Sequence, residues 1–184
     1  MDNILTALWI FLPTAFANAA PVIAHNISFL NRFNAPLDFN KTFRGKRIFG
    51  DHKTIRGIIA GAVFGLIVAG VQMFISNIFS WPEQYSAGLD YQSPIILLFG
   101  FCIGFGAVAG DAIKSFFKRQ MSIPPGKSWV PFDQLDFVIG GIIASLPFII
   151  LPAIFYPLGI AIALILHPTI NVLAWLLRLQ DKPF

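Results

Sequence analysis

The sequence contains few charged residues. Of its 184 residues, 13 are Lys or Arg and 9 are Asp or Glu, so charged side chains make up 12% of the chain while 56% of it is hydrophobic. A soluble domain is about 25% charged and about 45–50% apolar. The chain therefore lacks the polar surface that a water-soluble globule of this size needs. With a mean hydropathy of +0.72, it is predicted to be a membrane protein.

Cysteine is almost absent as well. The one cysteine, Cys102, excludes an intrachain disulfide. Because Cys102 lies in an apolar stretch without a polarising neighbour in sequence, we expect a buried structural thiol rather than a nucleophile.

Five stretches have the length of a membrane-spanning helix, which needs about 20 apolar residues. They cover residues 4–24, 57–79, 94–113, 137–156 and 158–177. The last two belong to one uncharged run, in which Pro152, Pro157 and Gly159 favour a hinge. All five runs are continuously apolar, whereas the strands of a membrane β-barrel alternate. The sequence thus predicts an all-α, polytopic membrane protein that forms one domain with five transmembrane helices.

The basic residues are confined to one side of this predicted topology. The N-terminus, residues 80–93 and the hinge between the last two spans contain no Lys or Arg, whereas residues 25–56, residues 114–136 and the C-terminal tail contain all of them. The positive-inside rule then places the N-terminus outside and the C-terminus in the cytoplasm of a protein in the cell membrane.

Both cytoplasmic loops, 25–56 and 114–136, are longer than the usual connection of about 2–8 residues between packed helices. Aromatic and aliphatic residues are interleaved with the basic ones in both loops, which favours folded loops over disordered ones. A topology signal without further function is the alternative interpretation of these charges.

The end of the first loop combines glycines, a threonine and several cations ahead of a predicted helix, in residues 45–57. Backbone N–H groups and the helix dipole both favour anions at such a place. The spacing of a Walker A motif is absent, so the pattern indicates a phosphate-binding segment of another kind.

Three carboxylates stand at the boundaries of the predicted spans on the same side. Asp111 ends the third span, and Ser115 and Lys118 follow at i+4 and i+7 on one helical face. Asp133 and Asp136 precede the fourth span at a spacing of i, i+3. A carboxylate at a membrane boundary is a candidate functional group, because leaving it unpaired is costly.

Two simpler interpretations of these acids remain open. Asp111 could form a salt bridge with Lys114 or Lys118, one or two turns away on the same helix. Asp133 could act only as the N-cap of the fourth helix.

Carboxylates among many cations also indicate a chemistry. Mg²⁺ usually binds one or two protein carboxylates together with substrate phosphates, and Lys and Arg neutralise the remaining phosphate charge. This combination of carboxylates with Lys and Arg is typical of enzymes of phosphoryl or nucleotidyl transfer, in which positioning and electrostatics dominate catalysis.

Glycines of the second and third spans have a different explanation. Gly57, Gly61 and Gly65 repeat every four residues, as do Gly100 and Gly104. Such spacing predicts close helix packing, within the chain or between copies of it. His25, His52 and His167 are too scattered for a metal site.

Several motifs spread over most of the chain resemble those of a known family. They are Ala17–Asn18–Ala19–Ala20–Pro21, Pro36–Leu37–Asp38–Phe39, residues 50–57 with Lys53–Thr54–x–Arg56–Gly57, Gly110–Asp111, Ser115–Phe116–x–Lys118–Arg119, Pro125–Gly126–Lys127, Asp133–Gln134–Leu135–Asp136, and His167 with Asn171. Ser-x-x-Lys-Arg followed by Asp-x-x-Asp is the most specific pair. With these motifs the chain resembles the CDP-archaeol synthase family, the CarS-like branch of the membrane CTP:phosphatidate cytidylyltransferases.

The resemblance implies a five-helix enzyme that uses Mg²⁺ to join CTP and an isoprenoid ether-lipid phosphate, of the unsaturated archaetidic acid type, and releases pyrophosphate. It assigns three groups of residues. The metal ligands would be Asp111, Asp133 and Asp136; the phosphate-binding residues Lys118, Arg119 and Lys127; and the nucleotide-binding residues Lys53, Thr54, Arg56 and Ser115. The catalytic residues would be the three metal ligands together with Lys118 and Arg119.

The chain departs from the family pattern at two places. His52 stands where many relatives have a small residue, and the chain ends in Pro183–Phe184 where relatives often have Trp. The alternatives are the same reaction on diacyl phosphatidic acid, a lipid kinase, and a non-catalytic protein that binds or transports anionic lipids. No nucleic-acid partner is expected.

Overall fold

The computed structural model describes residues 2–176, in which helices dominate. The α-helices are α1 (Asn3–His25), α2 (Ile55–Ile78), α3 (Ile95–Gln120), α4 (Phe132–Ser145) and α5 (Phe155–Leu176). The smaller elements are 3₁₀ helices at Ser28–Phe33 and Trp81–Tyr85 and an antiparallel hairpin of β1 (Thr42–Phe43) and β2 (Lys46–Arg47). The predicted helical architecture is confirmed. Residue 177, the tail with Arg178, Lys182 and Pro183–Phe184, and the side chain of Asn171 lie outside what the structure describes.

Within the part of the chain that the structure describes, three helices, α1, α2 and α3, are long and apolar enough to cross a membrane. On α2, large apolar side chains are exposed along one face, namely Ile59, Val63, Ile67, Val71 and Phe74. The buried face carries small residues such as Ala60, Gly61, Gly65 and Ala69. Large residues toward lipid and small residues toward other helices are the pattern of membrane helix packing.

α3 lies between α2 and α4, and glycines form both contacts. A Cβ atom on Gly65 would clash with the backbone of Gly100 and Gly104, and one on Gly106 would clash with the carbonyl oxygen of Gly140. The predicted small-residue packing is thus confirmed, and it extends to α4.

The fourth helix lies earlier in the chain than the span expected at 137–156. α4 begins at Phe132 and ends at Ser145, and residues 146–154 are not helical. Proline lacks the backbone N–H and disfavours helix in the residue before it, so Pro147 and Pro152 account for this break. Pro157 and Gly159, which were expected to form the hinge, lie inside α5 instead.

About half of the second expected loop, 114–136, is helical. α3 continues to Gln120 and α4 begins at Phe132, so only residues 121–131 connect them. Lys118 and Arg119 stand in the last turn of α3, where cations interact favourably with the helix dipole. The helix α3 therefore extends past the end of its apolar stretch, and this extension contains the polar residues.

In the segment between α1 and α2, the side chain of Asp38 is the centre of a hydrogen-bond network. The buried carboxylate accepts hydrogen bonds from the Arg47 guanidinium at 2.8 Å and from the backbone N–H groups of Phe49, Gly50 and Asn40 at 3.0 Å each. Burial alone would raise the pKa of Asp38, but these hydrogen bonds outweigh it and hold the pKa well below its usual range. The segment is also tied to the end of α3, because Lys46 donates to the carbonyl oxygen of Gln120 at 2.6 Å.

Candidate active site

Three carboxylates from two helices converge on one ammonium group. Lys114 Nζ lies 3.1 Å from Asp111 Oδ1, 2.7 Å from Asp133 Oδ1 and 2.7 Å from Asp136 Oδ2. We call these four residues the carboxylate cluster. The structure thus brings together the three acids selected from the sequence.

The packing of α3 against α4 creates the cluster. Asp111 and Lys114 lie one turn apart on α3, and Asp133 and Asp136 lie one turn apart at the start of α4. A Cβ atom on Gly110 would clash with the carbonyl oxygen of Asp136. Glycine at this position therefore allows the two helices to approach closely where the carboxylates stand.

Two further lysines complete the charge balance. Lys53, from the segment before α2, forms an ion pair with Asp111. Lys118 is buried and donates to the carbonyl oxygen of Lys127 and to Asp133 Oδ1, the latter at 3.2 Å. Three carboxylates and three ammonium groups thus neutralise one another at the ends of α2, α3 and α4.

Of the two simpler interpretations, the salt bridge of Asp111 is found in the structure and the N-cap role of Asp133 is not. The salt bridge between Asp111 and Lys114 is present. The N-cap role of Asp133 is wrong, because Pro131 occupies the N-cap position of α4 and Asp133 lies in the first turn. There Asp133 Oδ2 accepts the backbone N–H of Trp129 and so orders the end of the connection from α3.

The central position of Lys114 was missed in the sequence. Its i, i+3 spacing from Asp111 indicated one salt bridge, whereas the structure gives it three carboxylate partners. The two partners on α4 depend on the contact between helices, which a local pattern does not contain.

Thr54 and Arg56 have structural partners. Thr54 is the N-cap of α2, and its hydroxyl accepts the backbone N–H of Gly57 at 3.2 Å. Arg56 is buried and donates to Asn31 Oδ1 at 2.7 Å and to His25 Nδ1 at 3.1 Å. The Arg56 guanidinium thus holds the first 3₁₀ helix against the ends of α1 and α2.

The other selected residues divide into two groups. Ser115 is buried, and its hydroxyl donates to the carbonyl oxygen of Asp111 at 2.9 Å. Lys127 is exposed, and Arg119 Nε is buried without a hydrogen-bond partner among the described residues. Arg119 lies beside Gly50, where a Cβ atom would be 3.9 Å from its Cδ. Arg119 and Lys127 therefore have cationic groups left for a ligand.

His167, the last motif residue with a described side chain, packs its ring against Phe137, with the ring centroids 6.1 Å apart. It joins α5 to α4 just beyond the carboxylate cluster.

An apolar groove leads to the carboxylate cluster between α3 and α4. Its volume is about 610 Å³. Its walls are mainly large apolar side chains, among them Phe105, Ile113, Phe117, Leu135, Ile139 and Ile143, and it also contacts Lys114 and Asp136. The groove thus joins an apolar space to a charged one.

The donor set of the cluster suits a divalent cation in its chemistry, because carboxylate oxygens are hard ligands of the kind that Mg²⁺ prefers. The three carboxylates already surround one cation, the Lys114 ammonium. Within residues 2–176, no group of three or more His, Cys, Asp or Glu side chains has the arrangement of a formed metal site.

The chain is similar to known proteins over its full length. A family model described as "CarS-like: CDP-archaeol synthase" matches residues 1–184. The CDP-archaeol synthase of Pyrococcus furiosus is 34% identical over 185 residues, which cover 100% of both chains. That of Methanospirillum hungatei is 34% identical over 171 residues, or 88% of this chain and 97% of the relative.

A solved structure, described as "Structural insight into an intramembrane enzyme for archaeal membrane lipids biosynthesis", superimposes with a TM-score of 0.75 and 29% identity, over 94% of this chain and 96% of that one. With this fold and a match along the whole sequence, the chain belongs to the CarS-like CDP-archaeol synthase family.

Proposed function

We propose that this protein is a membrane cytidylyltransferase that joins CTP and an isoprenoid ether-lipid phosphate to give CDP-archaeol and pyrophosphate. The observation that carries the proposal is the apolar groove that meets the carboxylate cluster at Lys114 and Asp136. One substrate of this reaction has apolar chains and a charged head, and the other is a polyphosphate. Their phosphates would meet where the groove reaches the charged residues.

The lipid would lie with its chains in the groove between α3 and α4 and its phosphate at the carboxylate cluster. The groove wall is built from side chains such as Phe105, Ile113 and Ile139. The chains of the lipid would therefore remain in an apolar phase throughout the reaction.

The triphosphate of CTP would bind between the end of α3 and the segment before α2. Arg119 Nε has no hydrogen-bond partner among the described residues, and Lys127 is exposed. Gly50, whose backbone φ is +91°, lies next to Arg119. Lys53 and Lys118, which pair with Asp111 and Asp133, would contact phosphate oxygens while keeping these pairs. Charge-assisted hydrogen bonds from several cations would offset the repulsion between the two substrates.

The reaction needs no strong general base. The second pKa of a phosphate monoester is about 6, so the lipid phosphate is largely a dianion near neutral pH. One of its oxygens forms a bond to the α-phosphorus of CTP while the bond between that phosphorus and the bridging oxygen of pyrophosphate breaks. The lysines and arginine of the site orient the two anions and stabilise the charge that leaves with pyrophosphate.

Asp111, Asp133 and Asp136 would hold Mg²⁺, which when bound would neutralise part of the charge on the phosphates of CTP. The carboxylates keep a second role in this scheme. They hold Lys114 between α3 and α4 and so maintain the shape of the mouth of the groove.

The membrane topology of the proposal has five crossings, with α4, residues 146–154 and α5 forming the last two. The N-terminus would lie outside, and the carboxylate cluster and the C-terminus would lie in the cytoplasm, as the positive-inside rule predicts.

Product analysis tests the proposal. The purified protein in detergent is given CTP, Mg²⁺ and a synthetic ether-lipid phosphate, and we expect a CDP-linked lipid and one pyrophosphate for each lipid consumed. A nucleoside diphosphate in place of pyrophosphate would indicate a kinase. Binding of the lipid without turnover would indicate a non-catalytic protein, and preference for phosphatidic acid in a competition assay would indicate a CDP-diacylglycerol synthase.

A further inference from the structure

A second cavity lies at the end of the helices opposite the carboxylate cluster. It has a volume of about 380 Å³ and is formed by the last turn of α2, the second 3₁₀ helix and the residues that lead into α3. The proposed reaction makes no use of this end of the molecule.

The surroundings of the second cavity are acidic. Glu83 and Asp90 line it, and residues 57–113, which contribute all of its lining, contain no Lys or Arg. Ile149 approaches the cavity at Gly88, and its segment, residues 146–154, contains no charged residue. Asp90 Oδ1 accepts the backbone N–H of Gln92 at 2.9 Å, but no cation among the described residues pairs with either carboxylate, and two such charges favour a cationic ligand.

The second cavity also contains buried polar groups that lack partners. Ser76 and Tyr91 line it and are 8% and 4% exposed, and neither hydroxyl has a hydrogen-bond partner among the described residues. One turn before Ser76, Gln72 Oε1 is buried without a partner as well. Such groups are costly to leave unpaired inside a membrane protein. The two hydroxyl oxygens that line the cavity can accept a hydrogen bond, so a ligand with N–H donors would satisfy them.

We propose that the second cavity binds a primary ammonium group, carried by a small alkylamine or by the headgroup of an aminolipid. The ammonium would donate to the hydroxyl oxygens of Ser76 and Tyr91 and pair with Glu83 and Asp90. The ring of Phe79, which also lines the cavity and is 54% exposed, suits contact with a cation. A bare metal ion fits less well, because Ca²⁺ takes 6–8 oxygen ligands at about 2.3–2.6 Å and would leave most of the volume unfilled.

Thermal unfolding of the full-length protein in detergent tests this assignment. At equal ionic strength, we expect ethanolammonium chloride to raise the Tm, and tetramethylammonium chloride, which has no N–H, and sodium chloride to leave it lower. Equal Tm values in all three salts would overturn the proposal.

Variants then locate the ligand. Glu83→Gln is expected to weaken ethanolammonium binding in calorimetry at least about tenfold, as for the loss of one charge-assisted hydrogen bond. Tyr91→Phe keeps the ring and should weaken binding by removing the hydroxyl. Asp2→Asn is the control, because it removes an acid outside the cavity while Asn still caps α1. Unchanged affinity in Glu83→Gln, or equal loss in Asp2→Asn, would refute the site.

The cytidylyl-transfer rate of Glu83→Gln should equal that of the unmodified protein, so this test is independent of the proposed function. Nanodiscs distinguish the two sources of the ammonium. If a lipid headgroup is the occupant, phosphatidylethanolamine in the disc will weaken the apparent affinity for free ethanolammonium relative to a phosphatidylglycerol disc. If a free amine is the occupant, the two affinities will agree.

Discussion

Lys114 of α3 and Asp136 of α4 form an ion pair in which nitrogen and oxygen lie 2.7 Å apart and the Asp136 side chain is 5% exposed. This pair crosses the contact between two helices whose backbones also touch at Gly110. The helix packing and the charge arrangement of the candidate active site therefore depend on each other.

Replacing a carboxylate of the cluster should remove activity. Asp111→Asn or Asp133→Asn is expected to reduce CTP-dependent lipid turnover by about 100-fold or more, which is the scale of losing one preorganised electrostatic group. Asp2→Asn is the matched control, because Asp2 is exposed at the other end of α1 and Asn still caps that helix. Near-normal turnover in both cluster variants, with the Tm unchanged, would exclude these residues from the reaction.

Removing the central cation should destabilise the protein. In Lys114→Met, three carboxylates lose their shared partner, and breaking a buried ion pair typically costs about 3 kcal/mol or more. We expect a lower Tm that Mg²⁺ partly restores, because the carboxylates then prefer a divalent cation. Lys41→Met, on an exposed residue, should change neither the Tm nor its response to Mg²⁺. A Tm of Lys114→Met equal to that of the parent would contradict the assigned role.

The glycine contact between α3 and α4 should tolerate no side chain. Gly140→Ala introduces a methyl group against the carbonyl oxygen of Gly106, and overpacking costs about 1–3 kcal/mol. The expected result is a lower Tm together with lower activity. Gly70→Ala is the control, because its Cβ would meet only the Leu97 side chain at 3.6 Å. If both variants behave alike, the close helix contact does not exist in the membrane.

The Asp38 carboxylate should make the segment before α2 sensitive to acid. Its pKa is lowered in the folded protein, so its stabilising contribution is present above the unfolded pKa of about 3.9 and is lost as the pH falls toward the folded pKa. Hydrogen exchange measures this through the amides of Phe49 and Gly50, which donate to Asp38. Their protection should stay constant from pH 7 to 5 and decrease below about pH 4, and it should be low at every pH in Asp38→Asn. Protection that is independent of the Asp38 substitution would contradict the contact.

Cysteine labelling tests the proposed orientation. In a Cys102→Ser background, Gln84→Cys and Ser128→Cys place one exposed thiol at each end of the helices. An impermeant maleimide applied to intact cells should label position 84 and leave position 128 unlabelled until the membrane is opened. The reverse pattern would place the candidate active site outside.

The residues of the candidate active site could largely be chosen from the sequence, because spacing along a helix places Asp111 with Lys118 and Asp133 with Asp136. Their partners could not be chosen in this way. Lys114 acquires two of its carboxylates only through the packing of α4 on α3. Arg56 was expected at a phosphate, but its guanidinium is bound to Asn31 and His25, which are distant in the chain.

The sequence likewise predicts the position of some helices and not the bounds of others. Hydropathy locates α1, α2 and the start of α3 well, but it ends α3 at residue 113, whereas the helix continues through polar residues to Gln120. It misplaces the bounds of α4, since residues 137–156 are uniformly apolar and the break at 146–154 comes from backbone restrictions at Pro147 and Pro152. An apolar run indicates that a segment lies in an apolar environment, whereas the prolines determine where its helix ends.

The groove between α3 and α4 has a kinetic consequence if it receives the lipid as proposed. A substrate that enters through apolar walls reaches the protein by lateral diffusion in the bilayer, without first dissolving in water. The rate should then depend on the mole fraction of lipid phosphate in the membrane, and dilution with inert lipid should slow turnover even when the total amount of substrate is constant. CTP, which arrives from water, should follow ordinary bulk-concentration kinetics. The rate would therefore depend on the surface concentration of the lipid substrate and on the bulk concentration of CTP.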